Sequence, residues 1–500
     1  MLDGSRAEED GVTMTETTEG PAAGVDFRSH EGRRSSQAAG KAVFAEAAGA
    51  VDASLAAAIE RQKEWRKSYL VPVRKLVEAG ARSGKDALRI ASAGLDAVHR
   101  NLVFVREGSE APLLDAVGAA GDGFDTGTVS GTGTRETEVA VPYRGEWLRG
   151  DALRRQLDAW ANAGVIEPSC VRAVSEVVAN PEWLDLSGLT FVLLGAAAEM
   201  GPLEALSKWG ADVVAVDLDR PAVWDRILGF ASAGAGTLRF PQRNGRAGAD
   251  LLSETPQIAS WLRSIDGPIV AGSYAYADGS TFLKLAAALD AVVVSLQRER
   301  ADTSIAYLAT PTDVFAVPAE VVERSRSRPK SAFGRATKGV TRSKLFAANY
   351  PATVEGEGGR TWGLADALVP QQGPNYALAK MMQRWRAITA REEGTLSSAN
   401  VAPATRTRSV TKNKVLAAAY RGAHAFGVEI FEPETSRALM AAVLVHDLRA
   451  PGAAARPETQ LDHPYDLFVD AAAHGGLWTA AYAPRTVLPL AAALGAVRRS

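Results

Sequence analysis

The stretch from Thr190 to Asp217 constrains the fold of this 500-residue chain more than any other part of its sequence. The apolar run Thr190–Leu194 is rich in branched and aromatic residues, as a buried strand requires, and a turn over Gly195–Pro202 follows it. Leu203–Trp209 can form a helix, and Asp212–Asp217 has the composition of a second buried strand. The pattern predicts two parallel strands joined by a crossover helix.

Such a unit is suited to binding a dinucleotide. Glycine lets the backbone of the turn approach a phosphate closely, and the helix that follows offers its N-terminus to a pyrophosphate. Gly195 and Gly201 supply two glycines of this turn, and Asp217 lies about 20 residues after the first, where an acid binds the adenosine ribose. This carboxylate favours NAD over NADP, whereas Arg220 could instead face a 2′-phosphate.

Tyr376 and Lys380 form a second informative pair, in the stretch Gly373-Pro-Asn-Tyr-Ala-Leu-Ala-Lys. Residues four apart share one face of a helix, so the ammonium could stabilise the phenolate and lower a phenol pKa that is normally about 10. The tyrosine could then exchange a proton with a hydroxyl or a carbonyl. As ordinary residues of a helix the two would carry no chemistry, and this second interpretation stays open.

Taken in order, these segments resemble the short-chain dehydrogenase/reductase family. Ala249-Asp250-Leu251 is similar to the end of that family's third strand, whose acid and apolar residue flank adenine, and Pro268-Ile-Val-Ala-Gly-Ser-Tyr is similar to the fourth strand. Ser304-Ile-Ala-Tyr-Leu-Ala-Thr310 resembles the fifth strand, which ends in a catalytic serine in the family. Ser398-Ala-Asn-Val-Ala-Pro403 resembles the sixth strand and its turn.

The resemblance implies a Rossmann-like, doubly wound α/β fold that binds NAD or NADP and interconverts an alcohol and a carbonyl of a small molecule by hydride transfer. It implies that Tyr376 is the general acid or base, that Lys380 holds the nicotinamide ribose, and that Thr310, or else Thr312, binds the substrate oxygen. The implied cofactor-binding residues are Gly195, Ala198, Gly201, Asp217, Arg220, Asp250, Leu251 and Pro403.

The chain departs from the family's pattern at several positions. Ala198 stands where the middle glycine of the turn is usual, and the predicted helix over 282–298 lacks the family's proton-relay asparagine, which water or Ser295 could replace. More than sixty residues separate Thr310 from Tyr376, so 313–372 is predicted to be an insertion. The alternative function is therefore a catalytically inactive nucleotide-sensing or scaffold protein that kept the fold.

The remaining chain divides into further predicted regions. Residues 1–40 have few large apolar side chains, which predicts a disordered tail. Residues 41–182 have a mainly helical pattern, which indicates a bundle, a dimerisation arm that could support a homo-oligomer, or else a membrane-surface helix. Residues 183–420 are predicted to be the Rossmann domain with its insertion, and 421–500 a C-terminal helical region or lid over the substrate.

Other polar features have two interpretations each. His474, followed by two glycines and Trp478, could form part of a lid or could be a structural histidine in an ordinary turn. The basic run Arg324–Lys330 is typical of a solvated loop and could alternatively bind a phosphate. None of the histidines has a recognised metal-ligand spacing, so no metal site is predicted.

Composition excludes several functional classes. Lys and Arg number 56 against 58 Asp and Glu, which gives no electrostatic case for nucleic-acid binding. The single cysteine, Cys170, cannot form a disulfide within the chain and fits a reducing compartment. No apolar run approaches the ~20 residues of a membrane span, so no integral membrane segment is predicted. We therefore expect a cytoplasmic enzyme.

Overall fold

The computed structural model describes residues 23–119, 123–328 and 345–497. An eight-stranded, mostly parallel sheet forms its centre, and helices cover both faces. Six of the strands run parallel in the spatial order third, second, first, fourth, fifth, sixth along the chain, the order of dinucleotide-binding Rossmann folds. The predicted Rossmann-like, doubly wound α/β fold is confirmed.

The N-terminal part combines a small antiparallel sheet with helices. Its elements are β1 (Gly24–Phe27), α1 (Ser36–Gly49), α2 (Ala53–Glu60), α3 (Trp65–Ser68), α4 (Leu70–Gly80), α5 (Gly84–Asn101), β2 (Leu102–Arg106), β3 (Ser109–Pro112) and α6 (Leu113–Gly118). The side chains of Ser35, Asp52 and Ser83 accept backbone N–H groups at the starts of α1, α2 and α5. These caps satisfy amides that the helices themselves leave unpaired, which fixes where the three helices begin.

Part of the predicted disordered tail is ordered. Residues 1–22 lie outside the described residues, but Val25 and Phe27 are buried and β1 pairs antiparallel with β2. The ordered chain therefore begins well before residue 41. Val25 and Phe27 bury enough apolar surface to hold this segment, whereas the composition of residues 1–40 taken as a whole is too polar to indicate it.

The next segment crosses from one face of the sheet to the other. It contains β4 (Asp125–Ser130), β5 (Val141–Tyr143), β6 (Glu146–Leu148), α7 (Gly150–Asn162), α8 (Pro168–Ala179) and a 3-10 turn (Pro181–Leu184). β5 and β6 form a hairpin, and α7 packs on α8.

The first five parallel strands follow, with the helices that connect them and one short antiparallel strand, β10. In chain order the elements are β7 (Thr190–Leu194), α9 (Leu203–Lys208), β8 (Asp212–Val216), α10 (Pro221–Ala233), β9 (Thr237–Arg243), β10 (Arg246–Ala247), α11 (Thr255–Arg263), β11 (Ile269–Ser273), α12 (Gly279–Glu299) and β12 (Thr303–Ala309). β4 and β10 pair antiparallel with β9 and complete that edge of the sheet. Pro221 and Pro256 lie in the first turns of α10 and α11, where the missing N–H costs nothing.

The predicted insertion forms a small sheet of its own. It contains β13 (Val314–Pro318), α13 (Ala319–Ser327), β14 (Thr353–Glu355), a 3-10 turn (Glu357–Gly359) and β15 (Thr361–Asp366). The three strands pair antiparallel with β15 in the middle. Residues 329–344 of this insertion lie outside the described residues.

The chain then returns to the central sheet and ends in helices. The elements are α14 (Pro374–Glu392), β16 (Ser397–Val401), α15 (Arg408–Thr411), α16 (Lys414–Gly422), a 3-10 turn (Ala423–Phe426), α17 (Pro433–Arg449), α18 (Asp466–Val469) and α19 (Pro484–Val497). α14 is the crossover between β12 and β16, so the residues after the insertion occupy the expected place in the fold.

Two hydrophobic cores lie on opposite faces of the sheet. Along β7, Val192 and Leu194 join the core beneath α11, α12 and α14, whereas Phe191 and Leu193 join the core beneath α8, α9 and α17. The helices α1 and α5 belong to the first core and pack directly on α14, while α7 and α8 belong to the second. The region 41–182 therefore shares its apolar interior with the Rossmann sheet on both sides.

One helix has the length and composition of a membrane span. Among the described helices only α12 is long and apolar enough, and 78% of its most apolar window is buried inside the protein. It packs on α11 and α14, and this burial accounts for its apolar sequence.

Candidate functional site

The turn after β7 lies where the strand order reverses, between β7 and β11. Gly195 has a φ of +88°, and a Cβ atom there would collide with the backbone of Ala275. Packing against the chain that leaves β11 therefore requires this glycine. At Gly201 the nearest atom to an added Cβ would be the Ala198 carbonyl oxygen at 3.4 Å, so the fold itself makes no such demand there.

The Asp217 carboxylate is held against this turn. One oxygen accepts the N–H of Ala197 at 2.8 Å, and the other accepts the N–H of Leu218 at 2.9 Å. Burial raises the pKa of Asp217, although both hydrogen bonds oppose that change. Each oxygen keeps a second acceptor site, so the carboxylate can still accept a hydrogen bond from a ribose hydroxyl. This residue fits the ribose-binding role.

The other predicted cofactor residues lie close to the carboxyl ends of the strands. Ala198 is within the turn, and Arg220 is exposed immediately before α10. Asp250 accepts a hydrogen bond at 2.8 Å from the backbone two residues further on, Leu251 is buried, and Pro403 is buried after β16. All of them lie on the side of the sheet where the parallel strands end, which is the side at which Rossmann folds bind nucleotides.

An acid inside the turn is neutralised by a residue after β16. One Glu199 carboxylate oxygen accepts the Arg408 N–H at 2.8 Å, and the other lies 3.1 Å from the Arg408 Nε. An unpaired carboxylate here would repel a pyrophosphate, and the neighbouring guanidinium offsets part of that repulsion. The pair also links α15 to the glycine turn.

Tyr376 and Thr310 lie together at the carboxyl end of β12, despite the insertion between them. The side chains of Thr310 and Gln372 interact with the Tyr376 phenol. The Thr310 Oγ1 is 2.9 Å from the Thr312 Oγ1, which accepts a hydrogen bond from the Gln372 Nε2 at 3.0 Å. The two threonines proposed as alternatives thus belong to one polar chain around the phenol.

Aromatic contacts connect this cluster with the next strand. The Tyr376 ring lies 5.5 Å from the Phe282 ring and 6.3 Å from the Tyr276 ring, centroid to centroid. Tyr276 follows β11, so Tyr376 is close to the strand that borders the reversal point.

The pKa of Tyr376 is raised to about 12, opposite to the lowering predicted from its spacing to Lys380. Burial is the largest cause, and the negative charge of Asp313 adds to it, whereas Thr310 and Gln372 lower the pKa. The phenol therefore keeps its proton at neutral pH and can act as a proton donor.

Lys380 shares the helix face with Tyr376 but has other partners. Its Nζ donates to the Leu308 carbonyl oxygen and to the Gln383 Oε1, each at 3.1 Å. Burial lowers the pKa of Lys380 to about 8, and Asp313 opposes this shift. The i, i+4 spacing predicted the shared face correctly but could not predict the acceptors that β12 offers to the amine.

We expect Lys380→Met to reveal this lowered pKa in the stability of the fold. The folded protein releases the lysine proton at about pH 8 and the unfolded chain only near 10.5, so the free energy of unfolding rises with pH across this window. Relative to Lys380→Met, the unsubstituted protein should gain on the order of 3 kcal/mol between pH 7 and 10.5. Urea unfolding at both pH values measures the difference, and the exposed Lys75→Met is the control. A difference that does not change with pH would contradict the lowered pKa.

Sequence reasoning missed a buried carboxylate at this site. Asp313 is 2% exposed, one of its oxygens accepts the Val314 N–H at 2.7 Å, and the other lies 3.2 Å from the Arg384 Nη2. Its charge raises the pKa of both Tyr376 and Lys380. The only sequence signal was an acid directly before an apolar strand.

His474 has the contacts of a structural histidine. It is fully buried, its Nε2 lies 2.9 Å from a Glu167 carboxylate oxygen, and its Nδ1 accepts the Gly476 N–H at 3.1 Å. Arg324 also pairs with Glu167, so this member of the basic run is not part of a solvated loop, while Lys330 lies outside the described residues.

Comparison with known proteins identifies no relative. No protein-family model matches the chain, and no curated protein or solved structure matches it significantly. In the described ranges, no group of three or more His, Cys, Asp and Glu side chains could hold a metal ion.

Proposed function

We propose that this protein is an NAD(P)-dependent oxidoreductase that interconverts an alcohol and a carbonyl, similar to short-chain dehydrogenases/reductases. The observation that carries the proposal is the convergence of Tyr376 and Thr310 at the carboxyl end of β12, beside Tyr276 after β11. Folds with this strand order bind nucleotides in the crevice at that edge. A proton donor and a hydroxyl side by side are the groups that carbonyl reduction needs.

The residues around the glycine turn fit a dinucleotide. Asp217 has spare acceptor capacity for an adenosine ribose. Asp250 and Leu251 would flank the adenine, and the turn from Gly195 to Gly201 would hold the pyrophosphate. A bound NADH or NADPH would supply the hydride.

The protein's own side chains would handle the proton. The Thr310 hydroxyl hydrogen-bonds the substrate oxygen, and Tyr376 donates its phenolic proton to that oxygen as the alkoxide forms. Gln372 and Thr312 hold Thr310 in place through the polar chain described above. At neutral pH the Tyr376 phenol is protonated, so the proton is in place when a substrate arrives. The phenolate left behind recovers a proton from solvent.

We expect the protein to bind NADH or NADPH, and Asp217→Asn to weaken binding of the preferred nucleotide. Loss of a charged acceptor facing a ribose hydroxyl should raise the Kd by about 10- to 100-fold. Fluorescence titration measures both affinities. Asp219→Asn, an exposed neighbour whose carboxylate lies 2.9 Å from the Arg246 Nε, is the matched control and should bind normally. Absence of binding for both nucleotides would refute the proposal.

The alternative function is a nucleotide-sensing or scaffold protein. Two observations favour it: the position of Gly201 tolerates a side chain, and α9 has only six residues, which gives the turn less helix dipole than a full crossover helix. Nucleotide binding without turnover of any alcohol or carbonyl compound would support this alternative.

A further inference from the structure

Tyr69 reaches from the N-terminal helices into the chain segment that leads to Tyr376. It is fully buried, and its phenol donates to the Val369 carbonyl oxygen and accepts the Gly373 N–H, each at 3.1 Å. Gly373 directly precedes α14 and has a φ of +81°. The phenol thus fixes the backbone three residues before Tyr376.

The same segment carries Gln372, whose side chain closes the loop from the other side. Its Oε1 accepts the Val369 N–H at 2.9 Å, and its Nε2 donates to the Thr312 carbonyl oxygen at 2.9 Å. Val369 therefore has its N–H held by Gln372 and its carbonyl held by Tyr69. The two side chains together define the path of residues 369–373.

Further contacts from the N-terminal helices surround the first turn of α14. The Asn375 Nδ2 donates to the Ser36 Oγ at 3.2 Å, and the Arg66 guanidinium lies over Gly373. Residues of α1 and α3 thus reach the same turn as Tyr69, which immediately precedes α4. The first turn of the helix that carries Tyr376 is therefore surrounded by side chains of the N-terminal region.

We propose that Tyr69 is a positioning residue of the Tyr376 site, so that the N-terminal helical region completes the active centre. The inference rests on the proposed function. Without the Tyr69 hydroxyl, the buried Gly373 N–H has no acceptor and the Val369 carbonyl loses one donor. Gln372 then shifts, and the polar chain through Thr312 no longer aligns with Tyr376.

Tyr69→Phe tests this in the full-length protein, with Tyr350→Phe as the matched control. Tyr350 is also buried, and its phenol donates to the Trp478 carbonyl oxygen at 2.7 Å, away from the Tyr376 loop. We expect Tyr69→Phe to accelerate hydrogen exchange of residues 367–378 about tenfold and to lower kcat about tenfold with little change in KM, because the substitution removes both buried hydrogen bonds of this hydroxyl. Tyr350→Phe should do neither.

Each outcome separates the inference from the proposed function. Exchange that is unchanged, or that rises over the whole chain, overturns the positioning role, and so does faster local exchange with an unchanged kcat. Faster local exchange in a protein that turns over no carbonyl substrate supports the role of Tyr69 in holding the loop and counts against the oxidoreductase proposal alone.

Discussion

Tyr376→Phe is expected to lower kcat by about 10²- to 10⁴-fold, because it removes the proton donor while the aromatic ring stays. The ring keeps its packing against Phe282 and Tyr276, so the helix start and the nucleotide site should be undisturbed. Steady-state rates of carbonyl reduction, measured with the preferred nucleotide, give the change, and a fluorescence titration should show an unchanged Kd.

The control for this substitution is Tyr307→Phe. Tyr307 lies on β12 itself, its ring is buried, and its hydroxyl has no hydrogen-bond partner among the described residues. Its removal should leave kcat within about twofold, since no interaction is lost. If Tyr376→Phe kept its turnover rate, Tyr376 would not be the proton donor, whatever affinity the variant had for the nucleotide.

Asp290→Ala should produce the largest loss of stability. The Asp290 carboxylate accepts two hydrogen bonds from Arg386, at 2.7 and 2.9 Å, and lies 2.8 Å from the His99 Nε2. The three residues come from α5, α12 and α14, and the carboxylate is buried. Its removal leaves the Arg386 charge buried without a partner, which costs about 3–5 kcal/mol. Urea unfolding at neutral pH measures the difference.

The same substitution has a predictable pH dependence. Burial alone would raise the pKa of Asp290, but Arg386 and His99 outweigh it and hold that pKa well below its usual range. In the unfolded chain an aspartate has a pKa of about 3.9. The stabilisation that the Asp290 carboxylate provides is therefore fully present above this pH, and it is lost as the pH falls from there toward the lower pKa of the folded protein. The gap between the two proteins should narrow below about pH 4.

Glu299→Gln is the matched control on the same helix. Glu299 is half exposed and lies 3.4 Å from Arg263, so its removal should cost no more than about 1 kcal/mol. Equal losses for Glu299→Gln and Asp290→Ala would contradict a special role for the buried carboxylate.

The sequence predicted those parts of the molecule that local patterns determine. The run from β7 to β8 combines a buried strand, a required glycine and a strand-end acid within 28 residues, and each has the predicted place. Thr310 and Tyr376 were predicted from the order of motifs, and the small sheet of the insertion brings them together.

The rest depends on contacts between distant residues. Tyr69 lies 304 positions before Gly373, and no periodicity links the two. The direction of the Tyr376 pKa shift depends on burial and on Asp313, neither of which a four-residue spacing reveals. The catalytic roles of Tyr376, Lys380 and Thr310 stay predictions. So do all the cofactor-binding roles, which were assigned to Gly195, Ala198, Gly201, Asp217, Arg220, Asp250, Leu251 and Pro403.

The shared core of α1, α5 and α14 has a consequence for synthesis on the ribosome. α5 ends at Asn101 and α14 begins at Pro374, so more than 250 residues must be translated before the first helices meet their partner. At typical elongation rates this interval is on the order of tens of seconds. During that time the nascent chain displays an apolar helical surface, and its biogenesis should depend on chaperones that shield such surfaces until translation is nearly complete.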